Sequence, residues 1–138
     1  MSRRAIAIGL KIPDNAAYTA QRALERLGVA VHHVERSEIL LLDDGDDGAA
    51  LQRCVERNQA LFNPNKHRLT LLDGLKPRAG ETWIEEIGER AGEARYVGWR
   101  LFDATHRPVA NAVVAAAVDA LLCNPAIERA LLPDEGEE

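Results

Sequence analysis

Short segments of this chain occur twice and in the same order, and that repetition limits its fold more than any other feature. Gly9-Leu10-Lys11-Ile12-Pro13 returns as Gly74-Leu75-Lys76-Pro77, with the prolines 64 residues apart. Glu25-Arg26-Leu27-Gly28 returns as Glu89-Arg90-Ala91-Gly92, again with a spacing of 64 between the glycines. Leu61-Phe62-Asn63-Pro64 returns as Leu122-Cys123-Asn124-Pro125 at a spacing of 61. Three landmarks in one order at nearly one spacing indicate a tandem duplication. The first unit covers 1–73 and the second 74–132, with a strand near 67–75 shared between them. A unit of about 60 residues buries too little surface to be comfortable alone, and its few strands leave a sheet edge uncovered. Two such units can close on each other as a symmetric dimer would, within one chain.

Each unit reads as mixed sheet and helix. Ala5–Ile12 is a short apolar run bounded by Pro13-Asp14-Asn15 and is expected to be a strand. Asp14 or Asn15 can cap a following helix, which carries Ala16, Ala20, Ala23, Leu24 and Leu27 on one stripe and ends at Gly28. Val29–Leu42 reads as a long strand whose polar middle, Glu35-Arg36-Ser37-Glu38, suits a bend, a bulge or a hairpin. The later aspartates of Asp43–Asp47 can cap a second helix, with Ala50, Leu51, Cys54, Val55, Asn58, Leu61 and Phe62 on its apolar stripe. Asn63-Pro64 is expected to stop it, because the residue before proline is driven out of the α region. His67–Leu72 is a third strand. In the second unit a helix is expected near Glu81–Arg90, a strand near Ala94–Asp103 and an alanine- and valine-rich helix near Pro108–Leu122. The fold class is therefore α+β, two βαβαβ-type repeats related by a pseudo-twofold axis with helices packed on an antiparallel or mixed sheet. Pro133–Glu138 reads as an acidic, disordered tail.

Composition excludes several classes of function. The 138 residues carry 17 basic and 22 acidic side chains, a net charge of −5, which argues against a broad phosphate-binding face for nucleic acid. No run approaches the roughly 18–20 apolar residues of a membrane span. The apolar run after Arg3-Arg4 is interrupted at Lys11 and lacks a small-residue cleavage site. Two cysteines in a chain this long are no disulfide framework and fit reduced thiols. A cytoplasmic location is expected.

The residue types that carry chemistry each have a plainer explanation. His32 and His33 are neighbours on a strand, so they point to opposite faces and poorly share a metal. Cys54 and Cys123 lie in apolar helical registers, where a thiol is a small hydrophobe. The aspartates of 43–47 do not form a calcium loop, because Gly45 and Cys54 stand where ligands are required. Glu81, Glu85 and Glu89 at intervals of four fit a solvated helix face. No GxGxxG and no Walker loop is present. No catalytic residue, no metal ligand and no cofactor site is expected. Gly98, Trp99 and Arg100 remain as candidates for contact with a ligand or partner, Trp99 by stacking, although a strand tryptophan more commonly packs on a helix.

The order of elements resembles the PurS family, the small subunit of the multi-subunit phosphoribosylformylglycinamidine synthase of purine biosynthesis. Ala5–Pro13, Ala20–Gly28, Val29–Leu42 and the helix end Gln59–Pro64 carry the resemblance in the first unit. In the second it rests on the helix end from Ala120 through Asn124-Pro125 to Glu128. Family members are usually single units that pair with another chain, whereas this chain is doubled. Where the family tends to show Gly-Lys this sequence has Ser37-Glu38, and Gly98-Trp99 in the second half. The resemblance implies a non-catalytic subunit that bridges a glutaminase subunit and an ATP-dependent synthetase subunit, helping ammonia to pass between them. Those two subunits are the partners it implies, and self-association is compatible with it. The alternative is a relative of divergent role that binds a small ligand between its two repeats.

Overall fold

A computed structural model describes residues 3–43, 47–86 and 95–133. The described elements are β1 (Arg3–Leu10), α1 (Asn15–Arg26), β2 (His33–Asp43), α2 (Gly48–Arg57), β3 (His67–Leu71), β4 (Glu81–Glu86), β5 (Arg95–Phe102), α3 (Asn111–Ala117) and β6 (Glu128–Leu131). They form an α+β fold around one six-stranded sheet of order β3-β1-β2-β5-β4-β6, in which every pairing is antiparallel. The first half thus supplies β3-β1-β2 and the second β5-β4-β6. Each half sets its third strand at the outer edge and its second strand innermost. The halves meet where β2 pairs with β5, and Ser37 lies opposite Gly98.

The capping chemistry was legible. Asp14 accepts a hydrogen bond from Ala17 N at 3.1 Å and starts α1, and Gly28 ends it at φ +81°. Asp47 does the same for α2 through Ala50 N at 3.1 Å. The expected stripe of α1 is shifted, because Ala17, Ala20 and Leu24 are buried while Ala16 and Leu27 are exposed. The segment 35–38 resolves to uninterrupted strand, since β2 pairs through it with β5 on one side and reaches β1 on the other. All four residues pair with β5, and Ser37 and Glu38 pair with β1 as well, so the segment stays extended.

Two helix expectations are corrected. Glu81–Glu86 is the strand β4 and no helix. The four-residue spacing of glutamates imitated a helical face, whereas Thr82, Trp83 and Ile84 are β-favouring residues and lie inside the sheet. Residues 87–94, including Glu89, lie outside the described residues. The second correction is that α2 ends at Arg57, seven residues before Pro64. Asn58 leaves the helix in an extended conformation and its side chain accepts from Ala60 N at 3.0 Å, so asparagine rather than proline terminates it. Within α2 only Val55 is buried, and Cys54 is exposed rather than part of an apolar stripe. In the last helix, α3 passes into a π turn over Val118–Leu122. The wider turn brings Leu122 to the core and leaves Leu121 exposed.

The repeated landmarks fare differently. Gly9–Pro13 spans the end of β1 and the turn after it, whereas Gly74–Pro77 precedes β4, so that landmark does not fall at matching points of the halves. Gly92 and its neighbours, like the tail 134–138, lie outside the described residues. The Asn-Pro pair recurs in full detail. Asn63 N donates to His67 Nδ1 at 2.9 Å, and Asn124 N to Glu128 Oε1 at 2.8 Å. Asn65 N donates to Asn63 Oδ1 at 2.9 Å, and Ala126 N to Asn124 Oδ1 at 3.1 Å. The backbone amides of His67 and Glu128 return to the carbonyls of Asn63 and Asn124 at 2.7 and 2.8 Å. Each turn therefore launches an edge strand, β3 or β6, by the same bonds. Its spacing of 61 is also the spacing of the facing pair Ser37 and Gly98.

Because side chains alternate across a strand, the two faces of the sheet can be read from the register. Ile6, Ile8 and Leu40 pack with Val55 and Phe62 under α2. Val34 and Leu101 pack with Ala17, Ala20, Leu24, Val114 and Ala117 under α1 and α3. All three helices thus cover one face. The other face carries Ala5, Ala7, Ile39, Leu41 and Trp83, and among the described residues no helix lies on it. The connection 72–80, which takes the chain from β3 at one edge to β4, brings Leu72 and Leu75 onto this cluster. It closes at Gly80 (φ +74°), where a Cβ would come within 2.8 Å of Leu101 O and 2.9 Å of Pro108 Cβ. Leu101 N donates to Gly80 O at 2.8 Å, so this turn is tied directly to β5.

Candidate functional site

The helix-free face holds the concentration of charge that the fold creates. Glu81, opposite Arg100 in the β4–β5 register, is fully buried. Its carboxylate accepts from Arg78 Nε at 3.1 Å, from Arg78 Nη2 at 2.8 Å and from the Arg78 backbone N at 2.9 Å. A buried carboxylate is tolerated only when bonded in this way. Arg100 stands between Glu81 and Glu35, its partner across β2. Burial pushes its guanidinium below the usual arginine value, and the neighbouring Arg78 adds to the effect against the opposing pull of Glu81 and Glu35. Arg100 Nε reaches Ala79 O at 3.4 Å, and its Cζ lies 5.2 Å from the centre of the Phe102 ring. Phe102 in turn stacks on His106 at 4.9 Å, and the His33 and His106 rings are 5.3 Å apart. His106 occupies the left-handed region at φ 62°, inside a turn held by Asp103, which accepts from Thr105 N, Thr105 Oγ1 and Arg107 N. The Thr105 hydroxyl and then the Arg107 amide hold the Asp103 carboxyl below its ordinary value.

Beside this cluster lies a hollow of about 580 Å³, walled by both halves. Gly9, Ser37 and Thr70 line it from the helix-free face, with Arg68, Arg78 and Arg100 around them. Lys11 and Asp14 line it from the β1–α1 connection, and the hollow continues past the helix-free face to Tyr18 and Gln21 of α1 and to Val34 and Arg36 of the helix side. A second hollow of about 330 Å³ lies on the helix side, lined by Ile8, Leu10, Ile84 and Val97. Its charges are matched. Arg36 Nε meets Asp14 Oδ2 at 3.3 Å, and Arg95 pairs with Glu38.

The sequence-singled residues are divided by the pleat. Gly98 and Arg100 belong to the helix-free face, whereas Trp99 lies on the helix side, packed against the α1–α3 cluster with Arg36 6.0 Å from its ring centre. Gly98 and Trp99 therefore cannot contact one ligand from the same side of the sheet. Glu81 and Glu85 share the helix-free face, but the first is held by Arg78 and the second by Arg129, its partner in β6. Four residues of strand separate them by roughly 13 Å, too far to share a proton. Cys123 is partly buried, and burial followed by the Glu128 charge pushes its thiol upward, away from a reactive thiolate. Among the described residues no three His, Cys, Asp or Glu side chains converge as metal ligands, and no helix is long and apolar enough to cross a membrane.

Sequence reasoning missed Arg68 and Arg78. The available signal was Gly74-Leu75-Lys76-Pro77, a loop punctuated by glycine and proline, followed by the β-favouring run Thr82-Trp83-Ile84. Together they place Arg78 at the mouth of a strand. Arg68 becomes informative only once β3 is known to flank β1 beside Gly9.

No family model, no characterised protein and no solved structure matches this chain.

Proposed function

We propose that the chain is a PurS-like, non-catalytic subunit in which two repeats are fused into an intramolecular pair. On this reading it joins the glutaminase and synthetase subunits of the purine amidotransferase. One observation carries the proposal. The strand order β3-β1-β2-β5-β4-β6 reads alike from either end, and the Asn-Pro turns that launch its two edge strands repeat the same hydrogen bonds 61 residues apart. A pseudo-twofold axis through the facing pair Ser37 and Gly98 would relate the halves at that same spacing. A bridging module needs a rigid shape and free strand edges, and β3 and β6 stand at the two edges of the sheet. Reconstitution tests the proposal. Added to the two larger subunits, the protein should restore glutamine-dependent synthesis while leaving ammonia-dependent synthesis unchanged. If it captures neither subunit in a pull-down, the adaptor role is wrong.

A second reading, a relative of divergent role that binds a small ligand between its repeats, is favoured by the 580 Å³ hollow that both halves wall. A thermal-shift screen with nucleotides, purine intermediates and amino acids separates the two readings. Ligand-induced stabilisation without subunit binding favours the second, and subunit binding without any shift favours the first.

A further inference from the structure

We propose that the part of this hollow on the helix-free face is a binding site for a small phosphate monoester, gripped between Arg68 on one side and Arg78 and Arg100 on the other, over a floor of Gly9, Ser37 and Thr70. The proposal rests on the ligand-binding reading and is independent of the adaptor one.

Charge is the first argument. Apart from Arg36, which lies on the helix side and is paired with Asp14, four cationic side chains line the hollow: Lys11, Arg68, Arg78 and Arg100. Two carboxylates answer them: Glu35 in the lining and Glu81 behind Arg78. Two positive charges are left over, in a protein whose net charge is −5. A phosphate monoester carries about −1.5 to −2 at pH 7, which matches that excess. The helix-side hollow offers no such surplus, because Asp14 and Glu38 pair with its arginines.

Geometry is the second. β3 and β5 are separated by β1 and β2, and Arg68 is level with Gly98, two residues short of Arg100, so three strand spacings and that offset put the two arginines roughly 16 Å apart at the backbone. Two extended arginine side chains span most of that distance, leaving room for one tetrahedral anion between them. The strands beneath are low because they carry Gly9 and Ser37, which pair with each other in the β1–β2 register. A Cβ at Gly9 would sit in ordinary contact with Arg36 O at 3.5 Å and Ser37 Cβ at 3.8 Å, so the glycine leaves the floor one methyl lower there. The Ser37 and Thr70 hydroxyls supply further donors.

Preorganisation is the third. The bidentate grip of buried Glu81 fixes Arg78, and Arg100 is held by Ala79 O and the Phe102 ring. The terminal nitrogens of Arg100 make no hydrogen bond among the described residues, and Arg68 is exposed with no carboxylate partner there. The Arg78 and Arg100 guanidinium groups, fixed in this way and with donors to spare, suit a phosphate better than a spherical anion, and Arg68 is free to close on it.

The test is isothermal titration of the full chain with inorganic phosphate, glycerol 2-phosphate and succinate. Saturable binding of both phosphates is expected, weakened at least tenfold by Arg68→Gln and by Arg100→Gln. Arg22→Gln, on the exposed side of α1, should leave it unchanged. Arg68 is exposed and its replacement is not expected to disturb folding, so that variant decides the matter if Arg100→Gln lowers the melting temperature. Absence of saturable phosphate binding, equal binding by Arg68→Gln, or succinate binding as tight as phosphate would each overturn the proposal. If another ligand of the thermal-shift screen binds, and loses affinity in Arg100→Gln while phosphate does not bind, the phosphate assignment falls and the ligand-binding reading stands. If nothing binds, both fall.

Discussion

Gly98 sits at the junction of the two halves, and replacing it with alanine tests the packing there. Its φ does not fall in the left-handed region, so on backbone grounds alone alanine should stabilise by about 0.4–1 kcal/mol. Sterics oppose this. A Cβ would lie 2.9 Å from Ile39 Cγ1 and 3.1 Å from Ile39 Cδ1, against an optimum of about 3.5–4.0 Å between carbons. Ile39 has no exposed surface and is wedged among Ala5, Ala7, Leu41 and Trp83, so it has little room to retreat. Overpacking of this kind costs about 1–3 kcal/mol. The steric term wins, and Gly98→Ala is expected to destabilise by about 1–2 kcal/mol net. Ile39→Ala alone should cost about 2–5 kcal/mol, because it opens a cavity. In that background the new methyl loses its clash and fills space, gaining about 0.8 kcal/mol per buried carbon. The substitution should therefore change sign and become stabilising. Urea denaturation of the four proteins, with slopes compared to confirm a common transition, measures the cycle. A neutral or stabilising Gly98→Ala in the native background would refute the reasoning, as would the same cost in both backgrounds.

Three further expectations follow from particular contacts. Arg78→Met leaves the buried Glu81 carboxylate with only the residue-78 amide and should cost about 3–5 kcal/mol, whereas pairing it with Glu81→Met should recover most of the loss; chemical denaturation of both variants checks this. Asn63→Ala and Asn124→Ala each remove one side-chain acceptor from a matching turn and should destabilise equally, by about 0.5–1.5 kcal/mol; a several-fold disparity between them would argue against equivalent turns. Asp103 is held ionised by the Thr105 hydroxyl and the Arg107 amide, so its folded pKa lies below its unfolded one. Its contribution is present above about pH 4 and disappears as pH falls through the folded value. Melting temperatures of the native protein and Asp103→Ala should therefore differ at pH 7 and converge toward pH 3, and a gap independent of pH would contradict the assignment.

What could be read along the chain was what depends on near neighbours. A helix cap at Asp14 or Asn15, another in the later aspartates of 43–47, Gly28 as a helix end and the strand character of 5–10 and 95–102 each follow from a residue and the few positions around it, and the structure selects Asp14 and Asp47. The Asn-Pro repeat was legible as well, because a turn defined by bonds spanning four residues leaves its mark within four residues. The α+β class and the absence of a long apolar helix came from the same local patterns.

The tertiary structure decided what depends on partners distant in sequence. Glu81 and Glu85 carry a helical spacing, yet they lie in a strand because Arg78, Arg129 and the flanking strands satisfy them there. Glu35–Glu38 could have bent, and the backbone of β1 and β5 on either side keeps it extended. Trp99 and Arg100 are adjacent in sequence and separated by a sheet in space, because the pleat assigns alternate residues to opposite faces. The surplus of positive charge on the helix-free face is likewise a product of strand order. Only when β3, β1, β2 and β5 lie side by side do Arg68, level with Gly9 and Ser37, and Arg100, two residues further along β5, come onto one surface, and no local pattern encodes that order.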